Sequence, residues 1–229
     1  MKKINILVLA LGERHCTFAK KMIASVEKYF CVDISNKFII FTDNPKLFME
    51  VNNSVIVKVD NLPKPLVNVL KYHYFLKVKD LIGDNELVYS IDSDMEIVKN
   101  INIEEIKPDR ENQYVAVQHP WAVSEENQWI LCQNKESTAY LENTKVYHQS
   151  CFYGAQKKDF YNLVEKCNYN TNKDLSNRII AFWQDEGHFN KYLHGKDVKT
   201  LDCSYAMPSD FDNELNRAKI THYNSQTRD

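Results

Sequence analysis

The chain has 229 residues, 44% of them apolar and 26% charged, with a formal net charge of −2. That length allows one substantial α/β core or at most two small domains, and the composition is that of a soluble globular protein. Lysines and arginines are scattered without a basic block, which argues against nucleic-acid binding, and no apolar run is long enough to span a membrane as a helix.

The opening residues 1–12 imitate a signal peptide, with two lysines before a short apolar run. Asn5 interrupts that run, and Glu13, Arg14 and His15 follow without a small-residue cleavage site. The pattern predicts instead a first buried strand over residues 4–10, and a cytoplasmic protein that meets a membrane only through its substrate. A helix is expected over 18–30, with Phe18, Met22, Ile23, Val26 and Phe30 on one face. Strands follow at 37–42 and 54–59, then a loop with Pro63 and Pro65, a helix over 66–81 stopped by Gly83, and a strand at 86–91. This alternation predicts an open, largely parallel twisted sheet flanked by helices, with ligands beyond the carboxyl ends of its strands.

The second half is less regular. A strand is expected at 114–118, a polar irregular region at 122–144, extended chain at 147–153, and helices over 157–167 and 185–193. Six cysteines, at 16, 31, 132, 151, 167 and 203, include no CxxC pair. They read as mostly buried free thiols in a reducing compartment, without a zinc site. One domain over 1–229 is expected. Its first half, to residue 95, would bind nucleotide, 96–207 would bind acceptor and donor sugar, and 208–229 would form a polar, mobile tail.

Two acidic motifs carry chemistry. Asp92-Ser93-Asp94 follows an apolar strand, where two carboxylates can hold Mn²⁺ or Mg²⁺ with a diphosphate completing the shell. The same residues can equally form a solvated turn. In Trp183-Gln184-Asp185-Glu186, Asp185 suits an N-cap and Glu186 the first turn of a helix. The functional reading makes Glu186 a carboxylate beneath an anomeric carbon, and Trp183 a flat sugar platform or a core residue.

Four segments in order, residues 71–97 (KYHYFLKVKDLIGDNELVYSIDSDMEI), 118–121 (QHPW), 137–155 (STAYLENTKVYHQSCFYGA) and 179–193 (IIAFWQDEGHFNKYL), resemble glycosyltransferase family 6. That family includes the histo-blood-group A and B transferases and the α1,3-galactosyltransferases. The resemblance implies a single-domain α/β fold of the GT-A type and a retaining, metal-dependent transfer from a UDP-sugar to an oligosaccharide or glycolipid. It makes Asp92 and Asp94 the metal ligands and Glu186 the catalytic carboxylate. Ala10, Leu11, Gly12, His15, Lys71, Gln149, Ser150, Cys151 and Asp185 fall at donor-binding positions, and His119, Trp183 and Gln184 at acceptor-binding ones. Cys151, larger than alanine, leans toward UDP-galactose over UDP-GalNAc. Lys219, His222 and Arg228 are candidates for a basic tail over the diphosphate. Gln184 stands where the family has histidine, His15 where it has tyrosine, and Tyr72 where it has a second cation. The lack of an anchor or stem fits a bacterial or phage member. The rival readings are a binding module without turnover and a family 8 transferase. The latter's Gly-x-x-Lys-Pro-Trp segment is absent here.

Overall fold

The computed structural model describes residues 3–121, 130–211 and 214–223. Strand β1 (Lys3–Ala10) runs through its middle. Side chains alternate across a strand, so this apolar run feeds two cores at once. Ile4, Ile6, Val8 and Ala10 join the layer under helix α1 (Gly12–Tyr29), and Leu7 joins the opposite layer. The amide nitrogen of buried Asn5 donates to Glu86 Oε2 at 2.9 Å and to the Leu87 carbonyl at 3.3 Å. α1 starts at Gly12, ahead of the expected Phe18, because its first turn is polar and carries no apolar period.

The main sheet also contains β2 (Ser35–Thr42), β3 (Ser54–Lys58), β4 (Leu87–Ile91), β6 (Tyr114–Gln118), β7 (His148–Gln156) and β8 (Val198–Leu201). Its order is β3-β2-β1-β4-β7-β6-β8. β7 runs antiparallel to both neighbours and the other pairings are parallel. This is the expected α/β, GT-A-like arrangement. Between β6 and β7 the register jumps, from Ala116 opposite Tyr153 to Val117 opposite Gln149. Residues 150–152 therefore bulge from that ladder, and a bulge re-aims side chains.

The single helix expected over 66–81 is broken into α2 (Leu66–Val69), α3 (Lys71–Leu76) and a 3-10 turn at Lys79–Leu81. The chain leaves helical geometry at Leu70, and both Lys71 and Tyr72 turn into the interior. Long-range partners for their polar ends outweigh one more helical turn. After α4 (Ile103–Ile106), α5 (Lys157–Ser176) runs well past the expected Cys167. Its polar second half is buried because Asp174 accepts from the Ser137 hydroxyl at 2.6 Å and the Thr138 amide at 2.8 Å. α6 (Gln184–Leu193) completes the helices.

A second sheet joins β5 (Met95–Ile97), β9 (Met207–Pro208) and β10 (Ile220–His222) in the order β5-β10-β9. The region beyond Pro208 is thus not simply a tail, since residues 220–222 pair with the strand that follows Asp94. Arg228 lies outside the described residues. All six cysteines are free, five buried and Cys203 half-buried. Among the described residues no helix is long and apolar enough to cross a membrane.

Gly154 faces Tyr89 across the β4–β7 ladder, where a Cβ would fall 2.3–2.8 Å from three ring atoms. Tyr89 has little room to yield. It stacks on Phe152 at 5.7 Å, and its hydroxyl donates to the Ile106 carbonyl at 2.6 Å. Gly154→Ala is therefore expected to destabilise the fold by about 1–3 kcal/mol. Urea unfolding would register a lower midpoint at unchanged slope, and a midpoint equal to the parent's would refute the packing argument.

Candidate active site

The β4 strand ends at Ile91, and Asp92-Ser93-Asp94 turns across the carboxyl end of the sheet. The Asp92 amide donates to the Cys151 carbonyl at 2.9 Å, which ties this turn to the bulged part of β7. From the other side α6 arrives through a strained turn. Trp183 and Gln184 both have left-handed backbones, φ 58° and 44°. Asp185 is not the N-cap. Trp183 holds that position, with no side-chain cap, and the Asp185 carboxylate turns into the site instead.

Lys71 joins the two acidic centres. Its ammonium lies 2.9 Å from Asp92 Oδ1 and 3.3 Å from Asp185 Oδ2, and donates to the Ser150 carbonyl at 3.0 Å. Burial works against its charge, but Asp92 and Asp185 hold its pKa well above the usual value. Glu186 Oε2 accepts from the Ser150 amide at 2.9 Å, and the Ser150 hydroxyl reaches Asp185 Oδ2 at 3.2 Å. Burial pushes the Glu186 carboxyl up to about 7, against the Ser150 hydrogen bond. The buried Tyr147 hydroxyl faces the same carboxylate and favours its charged form.

On the Asp92–Asp94 side, β10 sets His222 Nε2 3.5 Å from Asp94 Oδ1, and the Tyr223 amide donates to the Asp94 carbonyl at 2.8 Å. Burial would raise the Asp94 pKa, yet the hydrogen bond and charge of His222 bring it below the usual range. His15 Nδ1 shares a 2.9 Å hydrogen bond with the Ser93 hydroxyl.

These groups line one cleft of about 610 Å³, the size of a small-molecule site. Leu11, His15, Lys71, Asp92, Asp94, Ser150, Trp183, Gln184, Asp185 and Glu186 all border it. Ala10 and Gly12 do not. Ala10 is fully buried, and the Gly12 amide is taken by Asp43 Oδ1 at 3.0 Å. Gln149 is buried, its amide donating to the Gln118 and Ala206 carbonyls, and Cys151 is buried beside it. His119 stands one layer behind the cleft, packed between Trp121 and Tyr147 at 5.3 and 5.8 Å. Burial, then the His222 charge, pushes its pKa down to about 4. Of the tail candidates, His222 borders the cleft, whereas Lys219 is paired with Glu105 away from it.

Sequence reasoning missed three contributors. The loop with the prolines supplies Asn61, Leu62 and Lys64 to the cleft wall, although Pro63 and Pro65 had marked it as a loop. Tyr147 carries no local signal. Asn190, within the Asn-Lys-Tyr segment, exchanges hydrogen bonds with the His148 backbone at 2.7 and 2.8 Å and so fixes α6 on β7.

Comparison with known proteins agrees with this geometry. The sequence profile of glycosyltransferase family 6 matches residues 66–228. An O-antigen biosynthesis glycosyltransferase, WbnI, from Escherichia coli is 29% identical over 95% of this chain and 92% of its own length. A globoside alpha-1,3-N-acetylgalactosaminyltransferase 1 from Gallus gallus is 24% identical over 88% of this chain and 61% of its own. For histo-blood group ABO system transferase 2 from Rattus norvegicus the values are 23%, 88% and 62%. The chain thus spans about three fifths of these vertebrate relatives. A profile that covers both acidic centres of the cleft, the turn after β4 and the start of α6, settles the class: the chain belongs to glycosyltransferase family 6 and is a transferase enzyme.

Proposed function

We propose that the enzyme moves galactose from UDP-galactose to the 3-hydroxyl of a terminal β-galactoside with retention of configuration, and that it requires Mn²⁺ or Mg²⁺. The observation that carries this reading is the shared cleft, whose walls include both the Asp92–Asp94 pair and Glu186. The same walls also carry Asp185, against the ammonium of Lys64 and that of Lys71, the latter already bound to three acceptors. A diphosphate entering there meets an excess of negative charge, so a divalent cation is needed to offset it. The donor set fits one: two hard carboxylate oxygens at a strand end, with diphosphate oxygens to complete the shell. Among the described residues no three His, Cys, Asp or Glu side chains form a ready-made cage. When bound, the cation offsets charge on the departing diphosphate.

The chain's own residues do the rest. Leu9, Leu11, Leu62 and Val67 offer apolar walls for the base, with His15 beside them as a stacking ring. Asp185 and Ser150 are poised for sugar hydroxyls. The ionised Glu186 stabilises positive charge at the anomeric carbon as its bond to the diphosphate oxygen breaks. The acceptor oxygen then bonds to that carbon from the departing side, and its proton passes to the freed phosphate oxygen. Trp183 is the acceptor platform. Of the tripeptide 149–151 only Ser150 borders the cleft, so the galactose preference rests on the family resemblance, and a panel of UDP-galactose and UDP-GalNAc with lactose-type acceptors decides it.

Chelation with EDTA should abolish UDP release and added Mn²⁺ should restore it, with Asp92→Asn unresponsive to the metal; turnover that survives chelation would sink the metal assignment. Glu186→Gln should fold normally and lose about 10²–10³-fold in kcat. In the parent, kcat/KM should fall tenfold per pH unit below about 7, where Glu186 takes up its proton. That limb should vanish in Glu186→Gln. It should move to higher pH in Tyr147→Phe, because the Tyr147 hydroxyl lowers the Glu186 pKa. An unmoved limb in both variants would assign it to another group. Lys71→Met leaves the buried Asp185 carboxylate without its counter-charge and should cost about 3–5 kcal/mol. That carboxyl would keep a proton in the folded state that the unfolded chain releases, so the deficit should grow from pH 5 to pH 8. Equal denaturation midpoints for variant and parent would refute the role of Lys71.

A further inference from the structure

Two neighbouring segments border the cleft. Residues 61–69 contribute Pro63, Lys64 and Asn68 to its wall, and residues 175–184 contribute Trp183 and Gln184. The Asn68 amide bridges them, donating to Gln184 Oε1 at 3.4 Å. These short segments hold four of the ten large apolar side chains that the described residues leave exposed: Leu66 at 37%, Ile180 at 46%, Phe182 at 48% and Trp183 at 39%. Apolar side chains gathered at one mouth mark an interaction surface, whereas scattered ones do not.

The display is built in. Three of the five described non-glycine residues with positive φ, Arg178, Trp183 and Gln184, lie in this stretch, and that backbone region is unfavourable for them. The turn is held from below. Ala181 packs on Cys132 and Ala139, the Ile179 amide donates to the Asp174 carbonyl at 2.9 Å, and a Cβ on Gly187 would come within 2.5 Å of the Phe182 carbonyl. The fold thus imposes a turn that presents Ile180 and Phe182 to solvent.

Charge identifies the occupant. Residues 61–69 and 175–184 contain no acid, and their only charged side chains, Lys64 and Arg178, are both exposed, in a chain of net charge −2. We propose that this rim rests on an anionic bilayer. Leu66, Ile180 and Phe182 enter its interfacial layer, Lys64 and Arg178 meet its headgroups, and the cleft opens toward a glycan carried on a lipid of that bilayer. Apolar groups flanked by cations bind such a surface through both terms together, and tryptophan favours that depth. A second copy docking rim to rim would set cation against cation. A sugar would gain little from Ile180, which offers no flat face and does not border the cleft. The membrane contact stands without the transferase reading, whereas the lipid-carried acceptor rests on it.

The test is sedimentation of the full chain with phosphatidylcholine vesicles, with and without phosphatidylglycerol, at low and physiological salt. Binding should require the anionic lipid and weaken with salt. The double variant Ile180→Ser, Arg178→Glu should lose at least about tenfold in vesicle affinity while transfer to a soluble acceptor without vesicles stays unchanged. Transfer to a vesicle-borne glycolipid should fall with binding. No sedimentation of the parent with anionic vesicles, or equal binding by the double variant, would overturn the proposal. So would a dimer in analytical ultracentrifugation that the double variant disperses. Vesicle binding without transfer to any acceptor would keep the membrane surface and remove the proposed function.

Discussion

A buried ammonium organises this enzyme. Lysine offers three protons and no acceptor, and Lys71 spends them on the end of β4, the bulged part of β7 and the first turn of α6. Those three elements carry Asp92, Ser150 and Glu186, so the pieces of the cleft are registered to each other through one nitrogen. Burying such ions is unfavourable in itself, and a mutual arrangement that satisfies all of them is what makes it tolerable. The consequence reaches outward. The helix that carries Lys71 breaks to deliver it, and the neighbouring Tyr72 hydroxyl follows it inward to the Asp185 carbonyl at 3.0 Å.

Backbone irregularities gather at the same place. The regular ladder of β1, β2, β3 and β4 supplies a rigid floor. Above it lie the bulge at 150–152 and the left-handed pair Trp183–Gln184. Each departs from ideal geometry, and each aims a polar group at the cleft. Folds commonly break local rules where chemistry is done. Here the bulge turns the Ser150 amide onto Glu186, and the left-handed turn swings Asp185 away from a cap toward Lys71.

Much of this was legible in the chain itself, for reasons that differ by element. β1 and β2 announce themselves because strands covered on both faces are continuously apolar. α6 was found through its residues, but its cap was misassigned: Asp185 has the chemistry of an N-cap, and only tertiary partners show that it serves elsewhere. The length of α5 was hidden because Asn170 and Asp174 look solvent-facing until Ser137 and Thr138 are brought to them. The second sheet was illegible, since strands of two or three residues carry no period to read. With it His222 was left without a place, and its neighbour Asp94 could be read only as half of a motif. The acidic pair and Glu186 were named from sequence, but that they share one cleft depends on Lys71, whose three partners come from distant parts of the chain.

The position of β10 has a consequence for biosynthesis. On the ribosome Asp94 emerges long before His222, and Lys71 and Asp92 before the helix that holds Asp185 and Glu186. Until β7 appears, β4 lacks that neighbour, and until α6 appears the Lys71 charge has one carboxylate where it needs two. A nascent chain in that state has an open sheet edge and an undercompensated charge, conditions that favour chaperone capture over early folding. Closure of the cleft thus waits for segments far downstream of the acidic pair, and a polypeptide that lacks them has little means of acting on sugar nucleotides.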